Sequence, residues 1–213
     1  MQTRRAVLRG GSLLTLSALA GCLAAPPSDG LGSELPPGDA PNGTDDETRP
    51  RGTGGPGVSL ASVDDDPAIP LSVDVTLLDA VATDDHPPSL RVTVTNTGDT
   101  TVGLGEARAA VFAYQYSVDD LLALLPADGD YPADPGCWRL SEGIAVTQEY
   151  RTVVLEPGAS HAADLELYAA GVEADACLPV GEHRFETTMT RYSEPETLEG
   201  GDAVDWGFSV LLE

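Results

Sequence analysis

The stretch CLPVGEHRFETTM places Cys177, His183 and Met189 in order, a thiol, an imidazole and a thioether, which are the ligand types of a copper electron-transfer centre. Five residues intervene at each step, longer than the tight ligand loop such a centre uses. A second imidazole would have to come from His86 or His161, and neither sits in a supporting motif. The set also needs Cys177 as a free thiol. Hard-oxygen chemistry has one candidate, DGDYPAD, with Asp128, Asp130 and Asp134 as calcium ligands. The further acids, the following glycine and the distant glutamate of a calcium loop are missing. With 35 acids in the chain, runs such as Asp64-Asp65-Asp66 arise without a site.

Hydrolytic chemistry finds less. Ser160 and His161 are adjacent, so on a strand they point to opposite faces and cannot act as a pair. GxSxG, HExxH and Gly-rich phosphate loops are absent from the sequence. No carboxylate pair can be singled out among so many acids. The expectation is a non-catalytic protein with no cofactor and no metal.

The remaining reactive side chains are cysteines. Cys22 follows LAG at the end of a short apolar run, itself preceded by TRRAVLRG. The run is about 11 residues, well short of the ~20 that span a bilayer as a helix, and it reads as a signal peptide over residues 1–21. Arg4 and Arg5 give it a twin-arginine export pattern. LAGC looks like a lipobox, in which the Cys22 thiol accepts lipid and becomes the first residue of the mature chain. Two hydrocarbon chains at ~0.8 kcal/mol per buried CH₂ anchor a protein durably. Cys137 and Cys177 then belong to an oxidising compartment and are expected to pair. Closing a loop of about 40 residues stabilises by about 4 kcal/mol in the chain-entropy model.

Charge limits the partners. The chain carries 11 basic residues, every one an arginine, against 35 acids, a formal net charge of −24. Such a field repels nucleic acid and anionic lipid head groups. At molar salt the Debye length is ~3 Å, so repulsion among surface carboxylates is screened, as a halophilic protein requires.

Positioning elements begin late in the chain. From Leu23 to Pro67 the sequence is rich in Pro, Gly and acids, with no aromatic residue and no sustained period. Residues 22–68 are expected to form a disordered stalk, and a flexible chain of that length spans roughly 35–40 Å. Asn42 lies in an N-G-T sequon, a glycosylation acceptor. After Ile69 the period becomes two. Val73, Val75 and Leu77 share a face, as do Leu90, Val92 and Val94, Leu165 and Leu167, Phe185 and Met189, and Val204 to Leu212 in steps of two. AAVFAYQYS and IAVTQEYRTVVL are further strand candidates, and VDDLLALLP at Val118–Pro126 is the single helix candidate. Trp138 is expected to pack in the core. Seven or eight strands over residues 69–213 predict an all-β, antiparallel, immunoglobulin-like β-sandwich.

LRVTVTNTGDTTV, VLEPGAS and CLPVGEHRFE, in that order, give a strand with an Asn-Thr-Gly turn, a Pro-Gly turn before a strand, and a Pro-x-Gly turn into a strand. Over roughly residues 69–213 this resembles lipoprotein domains of haloarchaea exported by the twin-arginine route. More remotely it resembles the immunoglobulin-like fold of the bacterial intracellular proteinase inhibitor family. The resemblance implies a fold, and no inhibitory loop carries over. The leading expectation is a lipid-anchored module on the outer side of the cell membrane, joined to membrane lipid through Cys22 and binding an unidentified protein or envelope partner. The alternatives are a small copper protein of cupredoxin type and an accessory subunit of an envelope or transport complex.

Overall fold

The computed structural model describes residues 57–107, 110–145, 150–173 and 176–213. Arg4, Arg5, Cys22 and Asn42 lie outside the described residues. Two five-stranded sheets face each other, and every pairing within them is antiparallel. The first runs β1 (Val58–Val63), β10 (Glu199–Leu212), β9 (Gly181–Glu194), β4 (Val102–Glu106), β7 (Arg151–Leu155). The second runs β2 (Leu71–Asp79), β3 (Ser89–Asn96), β8 (Ser160–Ala169), β6 (Leu122–Pro126), β5 (Gln115–Tyr116).

Alternation builds the interior. The β9–β10 hairpin sets Phe208 opposite Phe185 and Val210 opposite His183, so Phe185, Met189, Trp206, Phe208 and Val210 all turn inward and are buried. Leu90, Val92 and Val94 of β3 and Leu165 and Leu167 of β8 supply the other wall. Phe112 enters from the chain between β4 and β5. Its ring lies 5.8 Å from Trp206 and 5.2 Å from Phe208, in the edge-on and tilted arrangements that aromatic quadrupoles favour.

Four expectations need correction. The segment LALLP, Leu122–Pro126, is strand β6 rather than part of a helix. Leu122 and Leu124 join the core between the sheets, while Ala123 and Leu125 are buried on the opposite face. An unbroken apolar run is what a strand covered on both sides requires. Second, folded structure starts before residue 69. Strand β1 lies within the expected stalk, pairing Val58 with Leu212 and Leu60 with Val210 along β10. Third, among the described residues of AAVFAYQYS only Gln115–Tyr116 is strand. Phe112 and Tyr114 take positive φ, 60° and 62°, which delivers the Phe112 ring to the core. Fourth, nine strands, β2 to β10, are present among the described residues of 69–213 instead of seven or eight.

The two sheets are stitched along one side. Strand β4 pairs with β9 from Glu106↔Met189 to Gly103↔Tyr192. Beyond it, Ser117 bridges Phe185, the Val118 N–H donates to the Arg184 carbonyl at 2.8 Å, and Gln115 Nε2 donates to the Glu186 carbonyl at 3.0 Å. One stretch, residues 115–118, therefore serves both sheets.

Candidate binding groove

Cys137 is bonded to Cys177, with their Cα atoms 4.7 Å apart. The disulfide holds a segment of little regular structure, Tyr131 to Ile144, against the outer face of the second sheet. Backbone bonds reinforce it: Leu140 N–H to the Ala169 carbonyl and Ala169 N–H to the Trp138 carbonyl, both 2.9 Å. The Trp138 indole N–H donates to the Thr83 carbonyl at 2.6 Å, and Arg139 pairs with Asp134. Under this cover lies a second, small apolar cluster. Ala123, Leu125 and Tyr168 are its buried centre, and Tyr114, Tyr116, Tyr131, Trp138 and Leu140 pack around them. Tyr131 and Tyr168 sit edge to face at 5.6 Å. Burial, then the neighbouring Glu166 carboxylate, pushes the Tyr168 phenol up. Trp138 packs against both clusters, so its expected role in the core holds in part.

Where the covering segment stops short of β5, an open groove of about 490 Å³ remains. Half-buried Tyr116, Leu140 and Ala170 line it together with exposed Asp120, Glu142 and Gly171. Asp120 comes from the β5–β6 turn and Glu142 from the disulfide-held segment, so each of two walls includes an acidic residue. The turn is closely specified. Asp120 adopts φ 61°, a left-handed conformation that Asp tolerates better than most residues. Gly171 must be glycine, because a Cβ there would collide with the Asp120 carbonyl oxygen.

Behind the turn stands a polar chain. The Ser117 hydroxyl donates to Asp119 Oδ1 at 2.6 Å, and His183 Nδ1 lies 2.7 Å from Asp119 Oδ2. Burial acts to raise the Asp119 carboxyl, but Ser117, His183 and the Leu121 N–H together outweigh it and hold the carboxyl below its usual range. Because a carboxylate oxygen accepts, the pairing places an N–H on Nδ1 of His183. Its Nε2, buried, has no partner among the described residues. His183 therefore anchors the turn from inside, with its other nitrogen left bare.

Other expected sites resolve as follows. The copper set does not assemble, since the Cys177 sulfur is bonded to Cys137, His183 is committed to Asp119, and Met189 is core. Asp134 is engaged by Arg139, and no group of three or more His, Cys, Asp or Glu is placed to hold a metal among the described residues. Ser160 hydrogen-bonds Thr95 at 2.7 Å, while His161 turns the other way toward the Ala110 carbonyl.

Sequence reasoning missed one titratable group. Glu106 ends β4 pointing between the sheets, 3 % exposed. Its oxygens accept the Phe112 N–H at 3.0 and 2.9 Å and it hydrogen-bonds Thr187. Burial pushes its carboxyl up to about 7, against the smaller opposing effect of those two hydrogen bonds. The available signal was the phase of VGLGE, in which Val102, Leu104 and Glu106 share a face. The groove's own signal was YQYSVDDLLALL, tyrosines beside an apolar run that needs cover on both sides.

No family model matches the chain, and no curated protein shows significant similarity to it. The groove must be read from its own residues.

Proposed function

We propose that this chain is a non-catalytic surface lipoprotein whose immunoglobulin-like β-sandwich offers a binding groove outside the cell membrane. In this reading Arg4 and Arg5 direct export, lipid on Cys22 anchors the chain, and the residues up to Gly57 hold the sandwich away from the bilayer. The observation that supports a binding role is the extra layer over the second sheet. The inward faces of the two sheets supply most of the main core, and within the disulfide-held segment only Trp138 packs against it. What that segment adds is a walled groove on a rigid support, the usual arrangement by which irregular segments carry recognition.

The test is intact mass of the native protein extracted from membranes, before and after reduction, with a Cys22→Ser chain in parallel. The reading expects a mass beginning at Cys22 with added lipid, a gain of two hydrogens on reduction, and release of the variant from the membrane fraction. An unlipidated native chain, or a Cys22→Ser chain that stays membrane-bound, defeats it.

A further inference from the structure

We infer that the groove beside Tyr116 receives a small organic cation, an ammonium or guanidinium head carried on a compact apolar body. The inference rests on the groove reading above and specifies its occupant. Three features of the walls argue for it. Tyr116, Leu140 and Ala170 form an apolar lining of the kind that removes water from a ligand's body. A cation within about 6 Å of a tyrosine ring gains roughly 2- to 30-fold in affinity. The two charged residues of the lining, Asp120 and Glu142, are both carboxylates, and no arginine lines the groove.

The backbone that carries Asp120 is also fixed by the structure. Asp120 is held in its left-handed conformation by the contact of its carbonyl with Gly171 and by its N–H donating to the Ser117 carbonyl at 2.9 Å. One residue earlier, Asp119 fixes the same turn to buried His183. A turn braced from both sides keeps Asp120 at one position on the rim, and preorganised charge binds more tightly than mobile charge. The net charge of −24 draws cations toward the whole surface only in dilute buffer. In molar salt that long-range attraction is screened within ~3 Å, so contact with the ring and the rim carriers the selectivity.

The experiment titrates the full-length, membrane-extracted, isotope-labelled protein in molar potassium chloride with three probes of one shape: benzyltrimethylammonium, benzyl alcohol and benzoate. Backbone amide shifts are followed at Tyr116, Leu140, Gly143 and Gly171. The inference expects saturable shifts at these residues for the cation, binding at least about 5-fold tighter than the alcohol, and no response to benzoate. Tyr116→Leu and Glu142→Gln should each weaken the cation, as should Asp120→Asn, which keeps a residue tolerant of the left-handed turn. Equal binding of cation and alcohol overturns the cation assignment while leaving an apolar groove. Shifts spread over the acidic surface overturn it as unspecific attraction. No shift with any probe removes the groove reading as well.

Discussion

Glu106 makes the protein's stability fall as pH rises across a range where most proteins change little. Its carboxyl titrates near 4.5 in the unfolded chain and at about 7 in the folded one, because burial between the sheets disfavours the charge. The folded state therefore binds the extra proton between those values. Its contribution is fully present below about 4.5 and is lost as pH rises through about 7. At 1.36 kcal/mol per unit, the change amounts to about 3 kcal/mol, or about 6–12 °C in Tm for a domain of this size. Glu106→Gln keeps an oxygen to accept the Phe112 N–H and places an amide toward Thr187, without a charge. Chemical denaturation in molar salt at a series of pH values between 4.5 and 8 is the assay. The variant should match the native chain at the acid end and exceed it at the alkaline end. Asp64, held low by the Arg184 guanidinium, and Asp119 and Asp164, also depressed, lose their contributions only under more acid conditions. Parallel curves for the two chains would refute the argument, since the slope would then belong to other groups.

Replacing Cys137 and Cys177 together by serine should lower unfolding free energy by about 4 kcal/mol, measured by urea denaturation. The same variant should lose the amide shifts of the groove residues, because the covering segment loses its tie. Gly171→Ala forces the β5–β6 turn away from its neighbour and should cost roughly 1–3 kcal/mol, with the largest amide shifts at Asp120 and Leu121. Dialysis from molar salt into dilute buffer should lower Tm as screening of the 35 acids is withdrawn. An unchanged Tm would speak against a salt-dependent surface.

Period-two patterning made β2, β3, β8, β9 and β10 legible, since each turns apolar residues to the main core and mostly polar residues to its other face. The pattern failed wherever that condition fails. Strand β6 is covered on both sides, so its residues alternate between two apolar environments and show no polarity period. Strand β1 is held by pairing with β10, a partner about 150 positions away. Local composition, dominated by the Pro/Gly-rich approach, hides it. The Cys137–Cys177 bond could be anticipated because only two cysteines remain after Cys22. The groove could not, because its walls come from residues near 116, 140 and 170 and exist only once the covering segment lies across the sheet. Glu106 was hidden among the acids by number alone. Only strand phase distinguished it.

The described domain begins where it ends. Gly57 N–H donates to the Glu213 carbonyl at 2.7 Å, and Glu213 N–H returns a bond to the Gly57 carbonyl at 3.0 Å. A short bridging loop could join the two, so the sandwich is a natural subject for circular permutation, with new termini opened at exposed turns such as Pro157-Gly158. In the tethered arrangement proposed above, the geometry has a practical side. A reporter fused after Glu213 would emerge beside the stalk's point of attachment, so its distance from the bilayer would report the length of the stalk directly.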